Sequence, residues 1–151
     1  MKRHRETRIS DLRLDKNWKQ KDMAKKVNVS ESTYSKWERG SNDIPLFKAN
    51  QLANIFEVSL DYMLGISSKN IETDRKEINL KLLPERLLEI RKKRKITQEV
   101  LCNEVGYPQR TYSNYETGSR TPTTFKLLYI AIYHNISMDY LLGRTDDKKI
   151  R

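Results

Sequence analysis

Two stretches of this chain gather side chains that bind polyanions on one face of a short helix. At about 100° per residue, Tyr34 and Trp37 fall on one side of the stretch 30–39, flanked by Glu38. Ser32, Lys36 and Arg39 face the other way, with Ser35 at the edge. The stretch 108–117 repeats the division, with Tyr112 and Tyr115 on one face and Arg110, Asn114 and Thr117 on the other. The aromatic faces suit a small core. The polar faces carry hydroxyl, amide, ammonium and guanidinium groups and no bulky apolar residue, as a helix lying in a DNA major groove requires. In that setting Arg110 suits a guanine and Asn114 an adenine, each worth about 1–3 kcal/mol of discrimination.

Composition points the same way. A formal charge of +10, from 30 Lys+Arg against 20 Asp+Glu, favours a polyanionic partner, nucleic acid before a membrane surface. The excess is shared, with 13 basic against 9 acidic residues over 1–65 and 13 against 8 over 83–151. There is no Gly-rich phosphate loop and no nucleophile–base constellation, and His4 and His134 lack accompanying carboxylates. A non-enzyme is expected, with no metal and no cofactor. The single cysteine, Cys102, excludes an intramolecular disulfide and suits a small buried apolar position. The apolar run 127–132 is far too short to span a bilayer. A cytoplasmic protein with no membrane partner is expected.

The two polar faces belong to a unit that occurs twice. A gapless shift of 78 residues aligns 8–65 with 86–143, and 18 of these 58 positions are identical. This predicts domains at 8–65 and 83–143 joined by a polar linker at 66–82. A basic arm at 1–7 (Lys2, Arg3, His4, Arg5) precedes them and a tail at 144–151 follows. Units of about 60 residues bury a modest core, so docking or dimerisation would help each of them. The linker can reach up to roughly 50 Å.

Gly and Pro punctuation predicts five helices per copy. They cover 9–17, 20–26, 30–39, 46–56 and 60–64, then 84–93, 98–104, 108–117, 123–134 and 138–142. Ser30, Ser59, Thr97 and Ser137 stand at N-cap positions, and Pro108 suits a helix start. Asn28 aligns with Gly106, the two residue types that enter the left-handed conformation most cheaply, so a tight turn is expected there in both copies. The fold class is all-α.

The segment from Gln20 to Gly40, with Met23-Ala24, Val27-Asn28-Val29-Ser30 and Ser32-Thr33-Tyr34-Ser35-Lys36-Trp37-Glu38-Arg39, closely resembles the phage-repressor/Cro-type helix-turn-helix proteins. These are also called xenobiotic-response-element regulators. The segment Gln98–Gly118 resembles them equally, as do the closing Asp61-Tyr62-Met63-Leu64-Gly65 and Asp139-Tyr140-Leu141-Leu142-Gly143. The resemblance implies two tandem five-helix domains like those of lambda repressor, which regulate transcription by binding double-stranded DNA. It assigns base reading to Glu31, Ser32 and Lys36 in one copy and to Gln109, Arg110 and Asn114 in the other. Glu31 departs from the usual pattern by its negative charge. Gln20 and Gln98 would bond the DNA backbone and brace the reading helix, with Ser35, Arg39, Ser113 and Thr117 on phosphates. Arg13 with Glu38, and Arg91 with Glu116, match the family's internal ion pair. The rest of the basic run 91–95 could also serve phosphate.

The copies differ most on their fourth helix, where Asn50, Gln51 and Asn54 become Leu128, Tyr129 and Ile132. An apolar stripe of Leu128, Tyr129, Ile132 and Tyr133 reads as a protein contact, either a dimer interface or a dock for the other copy. The leading expectation is a repressor reading a bipartite site. The competing one is an antitoxin-like interaction protein, with one copy on DNA and the other on a protein partner.

Overall fold

Hydroxyl side chains start four of the helices. Ser30, Ser59, Thr97 and Ser137 accept hydrogen bonds from the backbone amides of Thr33, Tyr62, Val100 and Tyr140. The computed structural model describes residues 6–151, which form helices and no strands. The first copy comprises α1 (Ile9–Asp15), α2 (Gln20–Lys26), α3 (Glu31–Arg39), α4 (Leu46–Phe56) and α5 (Leu60–Met63). A 3-10 turn at Leu80–Leu82 leads into the second, with α6 (Leu83–Lys93), α7 (Gln98–Val105), α8 (Gln109–Thr117), α9 (Thr124–His134) and α10 (Met138–Leu141). Lys2, Arg3, His4 and Arg5 lie outside the described residues. Among the described residues, no helix is long and apolar enough to cross a membrane.

Left-handed residues punctuate both copies in register. Asn28 and Gly106 have φ of 57° and 78°, making the turn between the second and third helices. Two further pairs carry no glycine, Asn17 with Lys95 and Glu57 with Asn135, at φ between 55° and 59°. Asn17 therefore lies beyond α1, which ends at Asp15, because a left-handed residue cannot continue the helix.

Inside each copy the third helix presents its aromatics to the core. Tyr34 and Trp37 pack edge to face with centroids 6.1 Å apart, and Tyr112 and Tyr115 do so at 6.3 Å. Cys102 is buried, and that burial raises its thiol pKa.

The copies dock through matching residues. The Asp61 carboxylate accepts from the Met138 amide at 2.6 Å and from the Ser137 hydroxyl at 2.5 Å. In return Asp139 accepts from the amides of Leu60 and Asp61 at 3.0 and 2.9 Å. Such reciprocity, where position i meets j and j meets i, defines an approximate two-fold relation. It carries α5 onto α10 and α3 onto α8.

Other contacts at the junction have no counterpart among the described residues. Asp43 accepts from the Phe125 amide at 2.8 Å and from the Thr123 hydroxyl, while the Thr124 amide donates to the Ile44 carbonyl at 2.9 Å. Asp43 aligns with Thr121, so this clamp on the start of α9 exists once.

The segment 66–82 is tied along the seam. Asn79 N–H donates to the Leu142 carbonyl at 2.7 Å, Arg75 N–H to that of Arg144 at 3.0 Å, and Asn54 Nδ2 to that of Lys76 at 3.1 Å. A Cβ at Gly143 would stand 3.0 Å from Leu82 Cδ1 and 3.1 Å from Asn79 Cβ, so this close approach needs a glycine. Arg144, placed by the sequence in a trailing tail, is only 1% exposed. Its guanidinium donates to Asp139 at 3.0 Å, Asn50 at 2.5 Å and Asn54 at 3.0 Å, and also reaches the Val58 and Lys76 carbonyls.

Candidate nucleic-acid interface

The third helix of each copy is held by one ion-pair cluster. Arg13 donates to Glu38 through Nε at 2.7 Å and Nη2 at 3.2 Å, and to the Trp18 carbonyl at 2.8 Å. Gln20 Nε2 donates to the same carboxylate at 2.9 Å. The second copy repeats the set, with Arg91 on Glu116 at 2.6 and 2.9 Å, on the Ile96 carbonyl at 2.8 Å, and Gln98 on Glu116 at 2.9 Å. Burial alone would raise the pKa of Glu38 and Glu116, but the bonds from the arginines and glutamines outweigh it and hold both below the ordinary value. The first, second and third helices are thereby locked together. Gln20 and Gln98 keep a second amide N–H for a ligand.

The opposite face of each third helix is open. Glu31, Ser32 and Arg39 are exposed, with Ser35 and Lys36 half-buried beside them. On α8, Gln109, Arg110 and Thr117 are exposed, with Ser113 and Asn114 half-buried. None of Glu31, Ser32, Lys36, Arg39, Gln109 or Arg110 is drawn into the core.

Asn114 is held in a way the sequence did not suggest. The Ser119 hydroxyl donates to Asn114 Oδ1 at 3.0 Å and lies 3.0 Å from the Thr117 hydroxyl. With one lone pair of its carbonyl oxygen taken, Asn114 keeps a second lone pair and two amide N–H groups for a ligand. The hint was present in the shared Gly-Ser that follows each third helix. The first copy lacks the device, since Lys36 has no side-chain oxygen, and Ser41 there lies 3.4 Å from the Lys36 backbone carbonyl.

The basic run after α6 is partly spoken for. Arg94 lies over the Tyr133 ring at 4.7 Å and donates to His134 Nδ1 at 2.9 Å. A guanidinium has no acceptor, so the His134 proton sits on Nε2. Burial, then the Arg94 charge, lowers the His134 pKa to about 4. Lys92, Lys93 and Lys95 are exposed.

The stripe on α9 is not the open apolar face that the sequence suggested. Leu128 is fully buried, Tyr129, Ile132 and Tyr133 are half-buried against the core, and the start of α9 is clamped by the first copy.

Comparison with known proteins agrees with this architecture. The helix-turn-helix family profile matches twice, at residues 9–63 and 87–141. The chain is 40% identical over 63 residues to the uncharacterised HTH-type transcriptional regulator YobD of Bacillus subtilis (strain 168), covering 42% of this chain and 56% of YobD. It is 33% identical over 69 residues to the uncharacterised HTH-type transcriptional regulator YqaE, covering 46% and 60% of the two chains. It is 37% identical over 67 residues to the HTH-type transcriptional regulator ImmR, covering 44% and 53%. Both are from the same strain. The matches thus span somewhat over half the length of these curated relatives. No solved structure matches the chain. With two profile matches over most of its length, each closed by the same Arg–Glu–Gln lock, the chain belongs to the helix-turn-helix family of the phage-repressor/Cro (xenobiotic-response-element) type.

Proposed function

We propose that the chain is a sequence-specific regulator of transcription that binds double-stranded DNA and represses by occupying a promoter. Its two copies read one bipartite site. The observation that carries this reading is the reciprocal capping of Asp61 and Asp139, which sets α3 and α8 about an approximate two-fold axis. Two reading helices so related match the local symmetry of duplex DNA. The half-sites would lie in inverted orientation, about one helical turn or a multiple apart. They would differ in sequence, because α3 offers Glu31, Ser32 and Lys36 where α8 offers Gln109, Arg110 and Asn114.

Selection of bound DNA from a random library, at stated salt, tests this. The wild type should enrich two unlike half-sites in inverted array. Arg110→Ala should relax preference in one of them and Lys36→Ala in the other. Enrichment of no sequence at all would defeat the reading. Half-sites in direct repeat would defeat the inverted arrangement. The interaction-protein alternative rested on an open stripe of Leu128, Tyr129, Ile132 and Tyr133, and burial of Leu128 leaves it less apolar surface to use.

A further inference from the structure

Where α5 meets α10 the seam is symmetric, but the side chains beside it are not. On one side the buried Arg144 guanidinium is received by the side-chain oxygens of Asn50 and Asn54 on α4. The 78-residue shift turns Arg144 into Ile66 and the two asparagines into Leu128 and Ile132. Ile66 and Ile132 are half-buried against the core and Leu128 is fully buried. One socket is polar with a charged occupant. By the two-fold relation the equivalent socket is apolar, with Ile66 at the position of Arg144.

We infer that this difference is a pairing rule: the seam accepts the first copy against the second and rejects either copy against itself. Pairing two second copies would set a guanidinium against Leu128 and Ile132 twice. Each guanidinium would keep Asp139 of its own copy but lose its side-chain acceptors across the seam, and buried donors left unpaired are costly. Pairing two first copies would face each Ile66 with Asn50 and Asn54, leaving amides without partners. Only the unlike pair satisfies both sockets. The segment 66–82, tied to both copies by Arg75, Lys76 and Asn79, supplies that partner from the same chain. The occupant of this surface is therefore the other half of the molecule. The rule is independent of what α3 and α8 bind.

A set of full-length variants tests it, read by thermal unfolding and by amide exchange at Leu60 and Met138, neither of which needs DNA. Arg144→Ile alone and Asn50→Leu/Asn54→Ile alone should each lower the melting temperature by about 10 °C. The triple variant, in which both sockets are apolar, should recover most of that loss. Ile66→Arg alone should be as damaging, and Ile66→Arg with Leu128→Asn and Ile132→Asn should restore stability by moving the polar socket across the axis. Light scattering should give the wild type the 17.9 kDa of one chain. Losses that simply add in the triple variant, or no rescue by the transplanted socket, would overturn the rule. So would a two-chain wild-type species whose mass falls to one chain in Arg144→Ile. Failure of the wild type to bind DNA would sink the proposed function and leave these results untouched.

Discussion

Asp61 and Asp139, equivalent residues of the two copies, each cap the short helix that carries the other. Two carboxylates are thus buried close together, held by backbone amides, with Arg144 bonded to one of them. The arrangement makes the seam sensitive to protons.

Burial first, and the Asp139 charge second, raise the Asp61 pKa to about 7. An unfolded aspartate titrates near about 3.9. The folded form therefore retains a proton that the unfolded chain has released. Its contribution is fully present below about pH 4 and is lost as pH rises through about 7. The charged groups around Asp61 are Asp139 and Arg144, with Lys69, Glu72, Asp147, Lys149 and Arg151 lining the adjoining cavity. Amide exchange at Leu60 and Met138 should quicken between about pH 6 and pH 8 beyond the intrinsic rate. Asp61→Asn, which mimics the protonated acid, should flatten the change. Protection unaffected by pH in the wild type would contradict this.

The Arg–Glu locks respond in the opposite sense. Glu38 and Glu116 have folded pKa values below the ordinary carboxylate value, so their stabilisation is present above it and is lost as pH falls through the folded pKa. Glu116→Gln leaves the Arg91 guanidinium half-buried without its anion. It should cost about 3 kcal/mol, the low end for breaking a buried pair. Urea unfolding at neutral pH and near pH 3 measures both effects, and the variant should lose less on acidification than the wild type.

Ser119 is exposed, and its hydroxyl holds Asn114 Oδ1. Ser119→Ala should leave the melting temperature nearly unchanged and relax base preference at one position of one half-site by about 1 kcal/mol, the scale of a lost hydrogen bond. Competition binding with single-base operator variants reads this. A uniform loss across all variants would assign Ser119 to the backbone instead.

Arg39 is exposed at the end of α3, next to its open polar face. On a phosphate it releases about one counterion. Arg39→Ala should lower affinity for every sequence alike and reduce the salt slope by about 1. An unchanged slope would remove Arg39 from the phosphate contacts.

Much of each unit could be read from residue types. Capping serines, Tyr34 and Trp37 with their counterparts, and the Asn28 and Gly106 turn have local causes that a single copy displays. The junction was harder, because its determinants act across the repeat. Arg144 follows the last shared glycine in a polar run, where nothing local distinguishes it from a solvated tail. Its partners Asn50 and Asn54 looked like surface, and Leu128 and Ile132 like an exposed stripe, since the periodicity of one helix does not say what lies opposite. Left-handed Lys95 and Glu57 were invisible for a related reason, as neither residue type favours that conformation and only the following packing imposes it.

The segment 66–82, tied along the seam, has a kinetic consequence. A regulator assembled from two separate chains must meet its partner first, so its active form falls with the square of its abundance when it is scarce. Here the meeting is intramolecular and its rate does not change with dilution. On the proposed function both reading helices come from one chain, and occupancy of the site should follow a simple hyperbola down to a handful of molecules.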